Sequence, residues 1–548
     1  MNRTVLLLLL LTLPAFSVLL QPGYFPMHDD LQSMRQYQLD RCFQDGQIPC
    51  RWVPDLGFGF GYPLFNYYPP LPYLIGQPFR WLGLQYIDVV KAVGVLGFAA
   101  AAASMFLLAR EFWGRSGAIV SAVLYTYAPY HSVDFYVRGA VNEFWAMAFY
   151  PAVFWTTFRL IRDRRPIWLP AVSLSVAGIM LSHNPMLMIF APALLVWCVF
   201  WLVKLQALSA LKALVTAALW ALGLAAFFTL PVLLEAKFVS LWTLTSGYFN
   251  FLAHFIDLNQ IFLTINWDYG SSQLGPKDTM SFALGYLHWI IPALVLILTP
   301  IIKKLRDHTY LILFLVACIL ISLFMAHSKS TPLWLAVKPL EFLQFPWRFL
   351  TLAVFCASFL GGAIVLLSRR VIPLVLLLLL LLNANYFRPR EWYPDETDAH
   401  KFSGKSWQLL VTSGIFDYLP IWAPAPPADP ASADIGIISG TGTGITLAKR
   451  SNFQEYQLAI TSPSAIAEIQ TYYFPGWRVF IDGVEQGVDP TRDPLLGRMQ
   501  VDVPEGKHTL VALFTNTPIR TLGNTLSVIS WLLLPVVLWA YRQYGYRK

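Results

Sequence analysis

Charge is what this sequence has least of. Only 13% of its 548 residues are charged and 56% are hydrophobic, about half the charged share of a soluble globular domain, which excludes a chain dissolved in water over most of its length. Cysteine is scarce as well: there are five, none at metal-ligand spacing, which excludes a zinc-ribbon or cysteine-cluster scaffold. A nucleotide loop is also lacking. The Gly440, Gly442 and Gly444 run leads into an alternating strand pattern rather than a helix, and reads as a flexible hairpin. The net charge of +8 is spread in short clusters between apolar runs, not gathered in one tract, so no nucleic-acid partner is expected.

What the sequence has in place of charge is long apolar runs. A bilayer-spanning helix needs about 20 apolar residues, and candidates lie at 4–20, 88–109, 116–130, 142–158, 167–182, 186–203, 211–231, 281–300, 309–326, 347–368, 371–387 and 522–541. The expectation is a mainly α polytopic membrane bundle of about twelve spans. The first run continues through Pro14 to Leu20 without a small-x-small cleavage site and reads as a retained signal anchor. With that end inside, alternate loops collect Arg110, Arg115, Arg159, Arg162, Arg164, Arg165, Lys204, Lys212, Lys303, Lys304, Arg306, Arg369, Arg370, Arg542, Arg547 and Lys548 against Glu111, Asp163 and Asp307, a strong positive-inside pattern.

The same topology places residues 21–87, 232–280, 327–346 and 388–521 outside, and function is expected there. The chain divides into a membrane module (1–388), an outside linker and β-domain (389–521) and a last helix with its tail (522–548). In the second part a Pro-rich linker precedes strand patterns at 457–461, 478–481 and 509–514, with Asp482-Gly483 and Glu505-Gly506 as hairpin-turn signals, so a small β-sandwich is predicted. Cys198, Cys318 and Cys356 fall in spans and read as packing residues. Cys42 and Cys50 lie together in the first outside loop, where an oxidising compartment permits a local disulfide that the spacing alone does not decide.

The outside ends of the spans carry the polar motifs. His28-Asp29-Asp30 follows the first span and opens an amphipathic helix on which Leu31, Met34, Gln38 and Cys42 share a face. One aspartate suffices for a helix cap; two beside a histidine suit taking a proton from a hydroxyl or holding a divalent cation. Glu143 enters the fourth span, where an unpaired carboxylate is costly, and Arg138 is the partner that would staple the loop. His183-Asn184-Pro185 ends one span; His183 is a substrate-binding candidate, with a satisfied interfacial histidine as the alternative. Arg348, within Gln344-Phe345-Pro346-Trp347-Arg348-Phe349, suits a lipid phosphate through paired hydrogen bonds, although snorkelling explains its place equally well. Residues 57–73, dense in aromatics, Gly and Pro, read as a headgroup-layer segment.

Taken in order, His28-Asp29-Asp30, Gly46-Gln47-Ile48-Pro49-Cys50-Arg51-Trp52, Gly59-Phe60-Gly61-Tyr62-Pro63, Arg138 to Glu143, His183-Asn184-Pro185 and Gln344 to Arg348 resemble a bacterial membrane family labelled "6-pyruvoyl-tetrahydropterin synthase-related". That family is similar to the GT-C superfamily of integral membrane glycosyltransferases, and the resemblance covers residues 1–390. The label is not an activity. Pterin synthases are soluble and use a zinc-binding histidine cluster, whereas this sequence has no His-x-His pair, so no pterin is expected. The superfamily implies Asp29 or Asp30 as base or metal ligand and Glu143 as a second acidic position, with Mg or Mn as the cation if one is used. The β-domain after Tyr472-Tyr473-Phe474-Pro475-Gly476-Trp477 resembles outside domains of bacterial membrane proteins linked to glycosylation of envelope polymers.

The expected activity is therefore transfer of a sugar, with inversion, from a polyprenyl-phosphate carrier to a glycan, lipid or protein acceptor. It would take place at the outer face of a bacterial inner membrane, with His28, Arg51, Arg138, His183, Asn184 and Arg348 binding substrate and no nucleotide required. A transporter or flippase of lipid-linked saccharide, with Glu143 and His183 along its path, and a non-catalytic assembly protein are the alternatives.

Overall fold

The computed structural model describes residues 3–264, 267–274, 278–414, 417–433 and 435–544. All the expected spans are helical over most of their length, and the chain is a multi-pass membrane protein. Seven helices among the described residues are long and apolar enough to cross a bilayer: Tyr86–Thr126, Asn184–Lys204, Leu208–Leu234, Thr309–Ala326, Pro346–Leu366, Arg369–Tyr386 and Pro518–Trp539. The first of these carries two expected spans, 88–109 and 116–130, in one 41-residue element broken at Gly114, where φ is 66°. The remaining expected spans are the shorter apolar helices Thr4–Ala15, Trp168–Ser182 and Tyr286–Leu298, and Val141–Asp163, which holds Glu143 near one end and Arg159, Arg162 and Asp163 at the other.

Hydrocarbon gives helices no hydrophobic reason to associate, so close packing has to hold them. Small residues allow it: a Cβ on Gly117 would meet the Gly362 carbonyl at 2.7 Å, and one on Gly362 would meet the Gly117 carbonyl at 2.6 Å. Aromatic stacking fills the rest, as where Phe154 lies 4.4 Å from Trp197 and 5.0 Å from Phe355, ring centre to ring centre.

Among the described residues the β-domain is a single six-stranded antiparallel sheet, not two separately paired sheets as the sandwich expectation has it. Strands β1 (Gly436–Ser439), β2 (Gly442–Lys449), β3 (Phe453–Tyr472), β4 (Trp477–Ile481), β5 (Val484–Gln486) and β6 (Arg498–Phe514) run in the order β1-β3-β6-β4-β5, with β2 also paired to β3. Alternation along β3 buries Tyr456, Leu458 and Ile460. Asp482-Gly483 is the turn between β4 and β5, as expected; the glycine run is not a hairpin, since Gly440 lies between β1 and β2, both of which pair with β3 and not with each other, and Gly442 and Gly444 are within β2. Glu505-Gly506 is not a turn: it lies inside β6, where the β3–β6 register shifts between Ile460 and Ser464.

The sheet sits directly on the first outside loop. Trp52, Phe60 and Tyr67 share one core with Tyr472, Phe474, Trp477 and Val479. Trp52 meets Trp477 edge-on at 5.7 Å, and Phe60 lies 5.3 Å from Tyr472. This corrects the reading of residues 57–73 as a headgroup-layer segment. Its rings at Phe60, Tyr62, Phe65, Tyr67 and Tyr73 are buried against protein: Phe60 and Tyr67 under the sheet, and Tyr62, Phe65 and Tyr73 among Leu31, Met34, Leu39, Leu410 and Val411. Cys42 and Cys50 are disulfide-bonded within the same loop.

Candidate active site

The loops at one end of the spans converge on a cavity of about 750 Å³, within the size range of small-molecule sites. His28, Asp29, Asp30, Arg138, Glu143, His183, Asn184 and Arg348, scattered across more than half the chain, all line it.

One wall is a buried ion cluster. Local sequence builds it: Pro129–Ser132 is followed by a single π-helical turn, Val133–Arg138, and Gly139 at φ 66° then reverses the chain into Val141–Asp163. This brings Arg138 back over the start of that helix, where its Nη1 lies 3.1 Å from Glu143 Oε2 and also pairs with Asp134. Arg348 approaches from the Pro346–Phe349 turn. Its Nε donates to Glu143 Oε2 at 3.0 Å and its Nη1 to the Leu343 carbonyl at 2.7 Å and Gln344 Oε1 at 3.1 Å. Tyr130 donates to the other Glu143 oxygen at 2.6 Å. Arg138 lies over the Trp347 ring at 4.5 Å, Arg348 over Phe345 at 4.9 Å. Burial, and Glu143 beside it, push the Asp134 carboxyl well above the usual carboxylate range. Two guanidiniums, Arg138 and Arg348, thus converge on the Glu143 carboxylate, and Arg138 also holds Asp134. Arg348 is only 7% exposed, so it is not snorkelling to water.

A second part of the lining carries the aspartates. Neither Asp29 nor Asp30 caps the helix Gln32–Gln44, whose first flanking residue is Leu31 without a side-chain cap. Asp29 Oδ2 instead accepts from Arg35 Nη1 at 2.7 Å and Gln32 Nε2 at 3.1 Å. Asp30 pairs with Lys401, and burial, opposed by that lysine, pushes its carboxyl up to about 6. His28 Nε2 donates to the Tyr269 carbonyl at 2.9 Å. This part is completed by the 388–521 segment, which contributes Lys401, Ser406, Leu410, Ser413 and Asp417. Arg35, Lys401 and Asp417 were not foreseen. The usable signal for the last is its place as the lone acid in the run Gly414 to Pro420.

The two parts are joined through backbone: His28 N–H donates to the Val137 carbonyl at 3.0 Å and Asp29 N–H to the Arg138 carbonyl at 2.9 Å. Gly139 fits at this join because a Cβ there would meet Met27 Sδ at 2.4 Å and the Asp29 carbonyl at 3.0 Å. Gly139→Ala is expected to lower stability by about 1–3 kcal/mol through the left-handed backbone alone and to reduce turnover further by displacing Asp29. Thermal unfolding and turnover on one preparation measure both.

Two expectations are corrected. Arg51 does not reach the cavity: it is 2% exposed and donates to Asn66 Oδ1 at 3.2 Å, the Phe227 carbonyl at 2.9 Å and Asn524 Oδ1 at 2.8 Å, tying the first loop to two helices. Nor do Asp29, Asp30 and Glu143 form a ligand set. Both Glu143 oxygens are engaged by Tyr130, Arg138 and Arg348, and among the described residues no three His, Cys, Asp or Glu side chains are grouped to hold a metal ion. The residues present therefore do not fit a carboxylate-bridged cation, and no step below is routed through one.

No family model matches the chain, and no curated protein does. Among solved structures it is similar to the arabinofuranosyltransferase AftD from Mycobacteria, at 15% identity over 72% of this chain and 27% of that one with a TM-score of 0.44. It is also similar to ArnT from Cupriavidus metallidurans bound to undecaprenyl phosphate, at 13% identity over 67% and 60% with a TM-score of 0.35. A third is the Archaeoglobus fulgidus oligosaccharyltransferase in complex with Zn and sulfate, at 14% identity over 74% and 54% with a TM-score of 0.37. The chain thus spans about a quarter of the length of the first structure and over half of the other two.

Proposed function

We propose that this protein is a membrane glycosyltransferase of the GT-C kind that takes a sugar from a polyprenyl-phosphate donor and passes it, with inversion, to an acceptor at the outer face of the bacterial inner membrane. The observation that carries the reading is the polarity of the cavity. The guanidiniums of Arg138 and Arg348 and the carboxylates of Asp29, Asp30 and Asp417 line one space.

Arginine pairs suit phosphate oxygens, and in a site screened from water they stabilise charge that develops as a phosphate departs. Glu143 holds the two guanidiniums in place, and His183 and Asn184 line the cavity beside them. The acceptor hydroxyl lies at the aspartates and attacks the anomeric carbon; the bond from that carbon to the phosphate oxygen breaks with its electron pair, and the hydroxyl proton passes to a carboxylate. One displacement inverts the carbon. The donor's isoprenoid stays among the spans.

The test is transfer of radiolabelled sugar from a panel of synthetic polyprenyl-phosphate pentoses and hexoses by purified protein in lipid, with a parallel chelator arm to measure any divalent-cation requirement. Asp29→Asn/Asp30→Asn is expected to lower transfer by at least roughly 10²-fold, the lower end for disturbing general acid–base chemistry, with the fold retained. Full activity in that variant removes Asp29 and Asp30 from the mechanism. Movement of the lipid between leaflets without transfer or hydrolysis would make the protein a transporter.

A further inference from the structure

Four carboxylates line the cavity, and three of them are already bound to cations. Asp29 is held by Arg35 at 2.7 Å, Asp30 by Lys401, and Glu143 by Arg138 and Arg348 at 3.1 and 3.0 Å. A carboxylate committed to a guanidinium is a poor proton acceptor, since the cation favours its charged form and protonation would break the pair; at Asp30 burial outweighs Lys401 and leaves the carboxyl at about 6, so what sets Asp30 apart from Asp417 is the lysine it would strand on taking a proton. The fourth, Asp417, has no ion pair among the described residues.

Its placement is fixed from the first outside loop. The Tyr62 hydroxyl donates to the Gly414 carbonyl at 2.9 Å and accepts from the Tyr418 N–H at 2.6 Å, so one phenol holds the backbone before and after Asp417. The Asp417 N–H donates to the Gly414 carbonyl at 3.2 Å. Tyr418 stacks on Tyr67 at 5.4 Å, and the Phe58 N–H donates to the Val411 carbonyl at 3.0 Å, anchoring the chain just before Gly414. A carboxylate that lines the same cavity as the arginines, on backbone held by a buried tyrosine, is placed as a reacting group should be.

Resting on the transferase reading above, we propose that Asp417 is the catalytic base. As the acceptor oxygen bonds to the anomeric carbon, its proton moves to an Asp417 carboxylate oxygen, while the electron pair of the breaking bond leaves with the phosphate toward Arg138 and Arg348. Asp29 and Asp30 are positioning residues that hold Arg35 and Lys401 along the acceptor's approach. Burial pushes the Asp417 carboxyl up to about 6, with Arg35 opposing and Asp29 adding to the shift. That matches a base ionised at neutral pH yet strong enough to take a proton.

The experiment compares wild type with Asp417→Asn and Asp417→Ala, using the same synthetic polyprenyl-phosphate sugars, with and without sodium azide. Azide is an anion with no proton to lose, so it needs no base. The expected result is a loss of transfer of roughly 10²- to 10⁴-fold in both variants, unchanged donor binding, and donor cleavage to glycosyl azide restored by azide. A merely structural role would not give azide rescue. Wild-type transfer in either variant, or lost transfer with donor still bound and no azide product, overturns the assignment while wild-type turnover keeps the transferase reading. A wild type inert toward every donor overturns both.

Discussion

Arg348→Met is expected to lower kcat/KM for transfer roughly 10²- to 10³-fold, the loss seen when one donor is removed from a preorganised site that stabilises developing charge, about 3–4 kcal/mol. The effect should fall on the chemical step, because the guanidinium is worth most where the departing phosphate gathers charge. Arg348→Lys is not expected to restore it. Arg348 spans Glu143 through Nε and the Leu343 carbonyl and Gln344 through Nη1, and a lysine ammonium is a single point on a flexible stem that cannot reproduce that fork. The fold should survive, since Arg138 and Tyr130 remain on Glu143. Single-turnover rates with saturating donor, beside thermal unfolding of the same preparation, decide the matter. A variant that turns over at the wild-type rate would take Arg348 out of the mechanism.

The largest stability effect is expected away from the cavity. Glu235, just past the helix Leu211–Leu234, is fully buried and accepts from Arg520 Nε at 2.9 Å, Asn66 Nδ2 at 2.9 Å and Thr517 Oγ1 at 2.5 Å. Arg520 is also fully buried, against Phe474 and Phe514. Removing one partner of a buried pair strands the other, at a cost of about 3–5 kcal/mol. Glu235→Gln should therefore shorten the half-life of the folded protein in detergent severely. Half-life at fixed temperature is the right measure, because membrane and multidomain proteins commonly unfold irreversibly. Adding Arg520→Met should recover part of the loss, since that double change removes both charges; strict additivity would show that the two side chains are not coupled.

The contrast between Arg348 and Arg51 shows what could be read from the sequence. Both are arginines beside aromatics in motif-like strings, and both were assigned to substrate. Arg348 does line the cavity, where it joins Arg138, the partner the sequence offers, on Glu143, because an ion at an apolar span entrance needs a counter-charge. Arg51 failed because two of its partners come from 176 and 473 residues away, at Phe227 and Asn524, and no local pattern announces contacts of that range. The strands were legible through alternation and the helices through apolar length, whereas Glu505-Gly506 misled because an irregularity within a long strand uses the same residue types as a turn. Asp417 could not be singled out from sequence as reactive: that follows only once Asp29, Asp30 and Glu143 are seen to be committed to cations.

The core that Trp52, Phe60 and Tyr67 share with the sheet bears on how this architecture can be rebuilt. Because the sheet roofs the loop that carries Asp29 and Asp30, and the chain leading into it supplies Lys401 and Asp417, a graft of a foreign outside domain at residue 388 would deliver neither the roof nor two of the cavity's charged side chains. Chimaeras between chains of this architecture should therefore work only when the first outside loop and the 388–521 segment are exchanged together, and the two are expected to vary in concert from one acceptor specificity to the next.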